Sequence, residues 1–222
     1  MKHIAAFSPV GLRRAGRLAL AGMLALGVSA CSLLPKAEPL VRYELPAAKV
    51  AAMTSIPLPL TLALTTPMSS QALNTDRILV MPDGNELSAY KGVRWSDPAP
   101  LALRNQMVLA LRDSGLVRMV APYMAGLRSE AVLSSDLSAF QVRYVDGAPV
   151  VQVRIDMALI RTATGKPVST QRFAVDQPAS GTDVAQVVRA YGQAVQTLNR
   201  QMLDWLAPAL REVAESRAGA AK

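Results

Sequence analysis

The chain has 222 residues, 51% of them apolar, 18% charged and 5% aromatic, enough material for one globular domain with a real core. Four of the 24 basic residues (Lys2, Arg13, Arg14 and Arg17) lie in the first 30 positions, where there is no acid. That leaves 20 against 16, a net +4 that is scattered along the chain, so no nucleic-acid partner is expected. The single histidine, His3, and the single cysteine, Cys31, also precede everything else, which removes Ser-His-Asp and Cys-His triads, His or Cys metal sites and structural disulfides from the remainder.

Met1 to Arg17 is basic, and the uncharged apolar run Leu18 to Val28 has the length of a signal-peptide core, too short to span a bilayer. It closes on Val28-Ser29-Ala30-Cys31, which resembles the bacterial lipobox: an aliphatic residue, two small ones, then the cysteine whose thiol takes a diacylglyceryl group. Residues 1–30 are therefore expected to be a lipoprotein signal peptide, with Cys31 as the first mature residue, carrying diacylglyceryl and N-acyl lipid. Two or three acyl chains, at about 0.8 kcal/mol per buried methylene, make such an anchor effectively permanent. The next residue is Ser32, not the aspartate that favours inner-membrane retention, which points to the periplasmic face of the outer membrane. No other cofactor and no metal is expected.

Residues 31–55, with Pro35, Pro39 and Pro46 and no sustained period, read as a flexible tether behind the lipidated cysteine. In Leu58 to Leu64 leucines alternate with other residues as in a half-buried strand, and Pro57 and Pro59 put its start at a sheet edge. Arg77 to Met81 and Glu86 to Tyr90 flank Pro82-Asp83-Gly84-Asn85, a hairpin signal. Trp95-Ser96-Asp97-Pro98 predicts a helix with Asp97 as its cap and Pro98 at its first position, burying Leu103, Met107, Ala110 and Leu111 and leaving through Gly115.

Leu116 to Ala121 is a further strand. Leu137 to Val145, Val150 to Ile160 and Val168 to Val175 form a meander joined at Asp146-Gly147 and Thr164-Gly165-Lys166. In the middle strand Val151, Val153, Ile155, Met157 and Leu159 share one face. A last helix, capped by Thr182, carries Val184, Val188, Tyr191, Val195, Leu198, Met202 and Trp205 as one stripe, suited either to a coiled-coil seam or to the domain's own sheet. Pro208 is expected to end or bend it, and residues 213–222 read as a disordered tail. The expected architecture is a single α+β domain over 56–212: a mixed, mostly antiparallel sheet with two main helices packed on one face.

The lipobox, Tyr43-Glu44-Leu45, Asp76-Arg77-Ile78, Arg94-Trp95-Ser96-Asp97-Pro98 ahead of a helix, and Ser114-Gly115 together resemble the ABC-type transport auxiliary lipoproteins, from Cys31 to about Trp205. The resemblance implies a periplasmic partner of transporters that combine an ABC permease and ATPase with a mammalian-cell-entry (MCE) domain protein. Such systems are associated with moving phospholipid or other hydrophobic molecules between membranes. Self-assembly into a homo-oligomer is compatible with that role. The rival functional readings are a lipid-binding periplasmic shuttle or chaperone, and a structural cell-envelope protein.

Candidate contact residues follow from position. Arg143, Arg154 and Arg172 share the outer side of the meander, either as a basic stripe for phospholipid headgroups or an acidic partner, or as an ordinary solvated sheet face. Trp95 is either a partner-docking aromatic or a plug closing the helix onto the sheet. Asp83, Glu86 and Asp136 are the acids near turns, with no sign of a shared pocket, and no catalytic residue is expected.

Overall fold

A computed structural model describes residues 40–124, 126 and 128–220. The expected signal segment, Cys31 and the first part of the expected tether lie outside these residues. In chain order the elements are β1 (Val41–Tyr43), β2 (Leu58–Leu64), β3 (Met68–Ser69), β4 (Arg77–Met81), β5 (Ser88–Trp95), α1 (Ala99–Ser114), β6 (Val117–Pro122), β7 (Ala131–Val145), β8 (Ala148–Arg161), β9 (Lys166–Pro178) and α2 (Val184–Ala220). The strands form one mixed sheet of nine. Its parallel pairings are short, whereas the antiparallel ladders β7–β8 and β8–β9 run for most of their strands' length, so antiparallel pairing dominates.

β7 is the spine. Along one side it pairs with β8, and along the other it meets β2, β3 and β4 in succession. The meander forms because each strand alternates apolar and polar residues, and its first turn fits Asp146 and Gly147, whose positive φ values of 50° and 78° match a tight hairpin. Val151, Val153, Ile155, Met157 and Leu159 are all buried against the helices. The last helix packs on β8, β9, β2 and α1, so its stripe serves the domain's own sheet.

Proline placement has local causes. The first residues of β2 have β6 on one side only, because β7 joins at Leu62. Pro59 sits where the register jumps from Leu58↔Val117 to Thr61↔Met119, a bulge that needs no amide from it. At α1 the expected Asp97 cap is not made: Pro98 occupies the cap position without a side-chain hydrogen bond. Pro98 and Pro100 carry no amide, and the Ala99 amide donates to the Thr75 carbonyl at 3.0 Å, so little remains for a side chain to cap. Gly115 closes the helix in the left-handed conformation, as its position suggested. At α2 the Asp183 carbonyl accepts from the amides of Gln186 and Val187, which places Thr182 one residue too early to cap.

Two boundaries differ from expectation. Part of the presumed tether belongs to the domain: β1 pairs in parallel with β5, and Leu45 and Ala48 are buried. Gln106 on α1 donates to the Leu45 carbonyl at 3.1 Å, Gln196 on α2 donates to that of Lys49 at 3.3 Å, and the Met53 amide donates to the Ser114 carbonyl at 2.9 Å. This segment has no period because it crosses the helices as an irregular strap. At the other end α2 runs through Pro208 to Ala220 where a tail was expected from 213, and Val213 is only 3% exposed.

Candidate functional site

Three of the short blocks, those at Tyr43, Asp76 and Arg94 to Pro98, converge on one corner of the sheet. Tyr43 stands opposite Trp95 in the β1–β5 register, and the Ser96 amide donates to the Tyr43 carbonyl at 2.8 Å. The Trp95 amide donates to the Asp76 carbonyl at 2.7 Å, while the Asp76 carboxylate receives Arg94 at 2.6 Å and Arg42 at 3.4 Å. Burial pushes the Asp76 carboxyl up, but the hydrogen bonds and charges of Arg94 and Arg42 outweigh it, so this group titrates below the usual aspartate range. The corner is a lock that fastens β1, the first described strand, to the sheet.

Trp95 is not a docking aromatic. It is 1% exposed and lies with Phe140 and Tyr191 in an aromatic cluster, its ring centroid 5.0 Å from Tyr191 edge-on and 6.3 Å from Phe140. An indole at the last residue of β5 points inward because the adjoining helix must be sealed against the sheet. Burial, with the neighbouring Tyr90 adding to it, pushes the Tyr191 phenol well up, so it stays protonated.

Arg143, Arg154 and Arg172 do share the outer sheet face, but not as a basic stripe. Arg154 grips Asp176 through both carboxylate oxygens at 2.8 and 2.6 Å, and Arg172 grips Asp156 at 2.6 and 3.1 Å. The Arg172 hydrogen bond holds the Asp156 carboxyl below its ordinary range. Asp136 stands directly across from Asp156 on β7, so three aspartates share this face with the three arginines. Arg143 is exposed and makes no ion pair among the described residues. Such solvated pairs contribute little stability and leave no large positive field for an anionic surface.

A second location was not singled out by the sequence. A cleft of about 750 Å³ opens where the β8–β9 turn, the segment before β7 and the last turns of α2 meet, lined by Arg128, Glu130, Arg161, Ala163, Val213 and Arg217 among others. Glu130 accepts from the Thr61 amide at 2.7 Å and pairs with Arg217 at 3.0 Å, and Arg217 also donates to the Pro59 carbonyl at 2.8 Å. Arg161 pairs with Glu212 at 3.1 Å. The sequence offers only arginines scattered at 128, 161 and 217, which have no shared meaning until the fold gathers them. Among the described residues no three His, Cys, Asp or Glu side chains cluster as metal ligands, and no helix is long and apolar enough to cross a membrane. Cys31 lies outside the described residues.

No curated protein sequence matches the chain. Among solved structures, the chain is similar to protein XCC0632 from Xanthomonas campestris, of family DUF330, at 25% identity and a TM-score of 0.71, over 79% of this chain and 98% of that one. An uncharacterized protein shares the fold at 17% identity and a TM-score of 0.60, over 76% of this chain and 99% of its own. The family model described as "ABC-type transport auxiliary lipoprotein component" matches residues 43–203, a span that starts at the last residue of β1 and takes in β2 to β9 and the first half of α2. The chain therefore belongs to the ABC-type transport auxiliary lipoprotein family.

Proposed function

We propose that this chain is an outer-membrane lipoprotein facing the periplasm, anchored through lipid on Cys31. It would act as the auxiliary component of an ABC transporter whose permease and ATPase work with an MCE-domain protein, moving phospholipid or another hydrophobic molecule between the two membranes. The observation that carries this reading is the family match over residues 43–203, downstream of a lipobox-like sequence ending at the chain's one cysteine. Its role is adaptor rather than enzyme. With the single histidine at position 3 and the single cysteine reserved for lipid, the domain lacks the residue types on which most nucleophilic and acid–base catalysis relies.

The physical demands of such a role fit the fold. A lipidated protein working between two membranes needs a domain fastened firmly to the chain that leads to its anchor, and the Asp76 lock and the strap over both helices supply that fastening. The test is copurification of the native, lipidated protein from gently solubilised envelopes. MCE-domain, permease and ATPase subunits of one transporter are expected with it, and their consistent absence, with the auxiliary protein intact, contradicts the reading.

A further inference from the structure

We infer that the cleft between the β8–β9 turn and the end of α2 binds an amphiphilic anion, a single acyl chain ending in a carboxylate or phosphate, with Arg161 and Arg128 receiving the headgroup. This deepens the transport reading, on which the choice of a lipid-like ligand rests, by giving the domain a lipid site of its own.

Three features of the cleft point to that chemistry. Its volume, about 750 Å³, lies within the range of ordinary small-molecule sites and holds an acyl chain of moderate length. Its walls combine Val213, Ala163 and the methylene stems of three arginines with Glu130 and several hydroxyl side chains, a surface mostly apolar by area that also carries guanidinium groups. Its charges are not matched. Glu130 is taken up by the Thr61 amide and Arg217, and Glu212 by Arg161, so Arg128 is left with no ion pair among the described residues.

Arg161 adds the decisive detail. Its Nε is shielded from solvent and has no hydrogen-bond partner among the described residues, although Glu212 engages the outer nitrogen. The side chain as a whole is 26% exposed, so a turn of the guanidinium brings this unpaired donor to an incoming carboxylate or phosphate oxygen, and guanidinium groups match both anions in geometry. Arg217 has a different part. Holding Glu130 and the Pro59 carbonyl, it pins the helix end that forms one wall and keeps the cleft open.

The test uses the full lipidated protein in phosphatidylcholine vesicles, with two photoreactive probes, a diazirine fatty acid and a diazirine lysophosphatidylglycerol. Crosslinks are expected in the peptides containing residues 161–164 and 213–217, and whichever probe labels more strongly identifies the headgroup. Arg161→Gln is expected to lower labelling by about tenfold or more, the scale of one lost charge-assisted hydrogen bond. Ala163→Trp, which fills the cleft from an exposed turn without touching the core, is expected to abolish it while leaving Tm unchanged. Labelling spread over the surface and indifferent to both substitutions overturns the inference, as does equal competition by millimolar inorganic phosphate, which marks a plain phosphate site. A labelled cleft in a protein that copurifies with no transporter keeps this site and removes the transport reading; copurification with an unlabelled cleft does the reverse.

Discussion

Asp76 is one carboxylate held by two arginines from different strands, and its backbone carbonyl receives Trp95, so a single residue ties β1, β4 and β5 together. Because its pKa is lowered in the folded state, its contribution is present above the ordinary value of 3.8 and is lost as pH falls through the lowered pKa. Asp76→Asn is expected to cost about 1 kcal/mol at neutral pH, since the group is partly exposed. Thermal melts should show a constant gap between wild type and variant from pH 8 to 5 that closes below pH 4; a gap that widens on acidification contradicts the lock. Asn199 is the opposite case. It is fully buried on α2, and neither its amide oxygen nor its nitrogen has a partner among the described residues. Asn199→Leu, similar in shape and free of polar atoms, is expected to raise stability by about 1–2 kcal/mol in urea titration, and a loss would mean that the amide is satisfied in solution.

Among the elements, those built on short-period patterns were legible in the sequence. The alternation of β8 and the leucine-rich β2 announced themselves, as did the Asp146-Gly147 turn and the Gly115 exit from α1. What could not be read depends on partners far along the chain. The three-residue β1 acquires its identity from β5, and the irregular strap that follows it is ordered by carbonyls that glutamines on two helices reach. The same holds for the outer arginines: their charges are visible in sequence, but whether they face aspartates is a matter of register. The cleft is the extreme instance, since Arg217 meets Pro59 across most of the chain. Gly192 shows how tightly the strap lies on α2. A Cβ there would come within 2.8 Å of the Pro46 Cβ, so Gly192→Ala, which in an exposed helix would gain about 1 kcal/mol, is expected to lower Tm here. A raised Tm would show that the strap is not seated on that helix.

Across the whole molecule, these contacts describe a domain that is stiff where its N-terminal strap enters and open at the cleft between the β8–β9 turn and the end of α2. An aromatic cluster of Trp95, Phe140 and Tyr191 seals the interior, and the charged outer sheet face is balanced. Family membership places the chain with transport auxiliaries, and in the proposed account a lipid on Cys31 confines the domain to a membrane where its surface and its cleft can serve a transporter. Growth of the native bacterium with an alkyne-tagged fatty acid, followed by separation of inner and outer membranes, tests that account most directly. The tag is expected on this protein in the outer-membrane fraction and absent from Cys31→Ala, which should also leave that fraction. A protein that takes up no fatty acid, or whose membrane association survives Cys31→Ala, contradicts it.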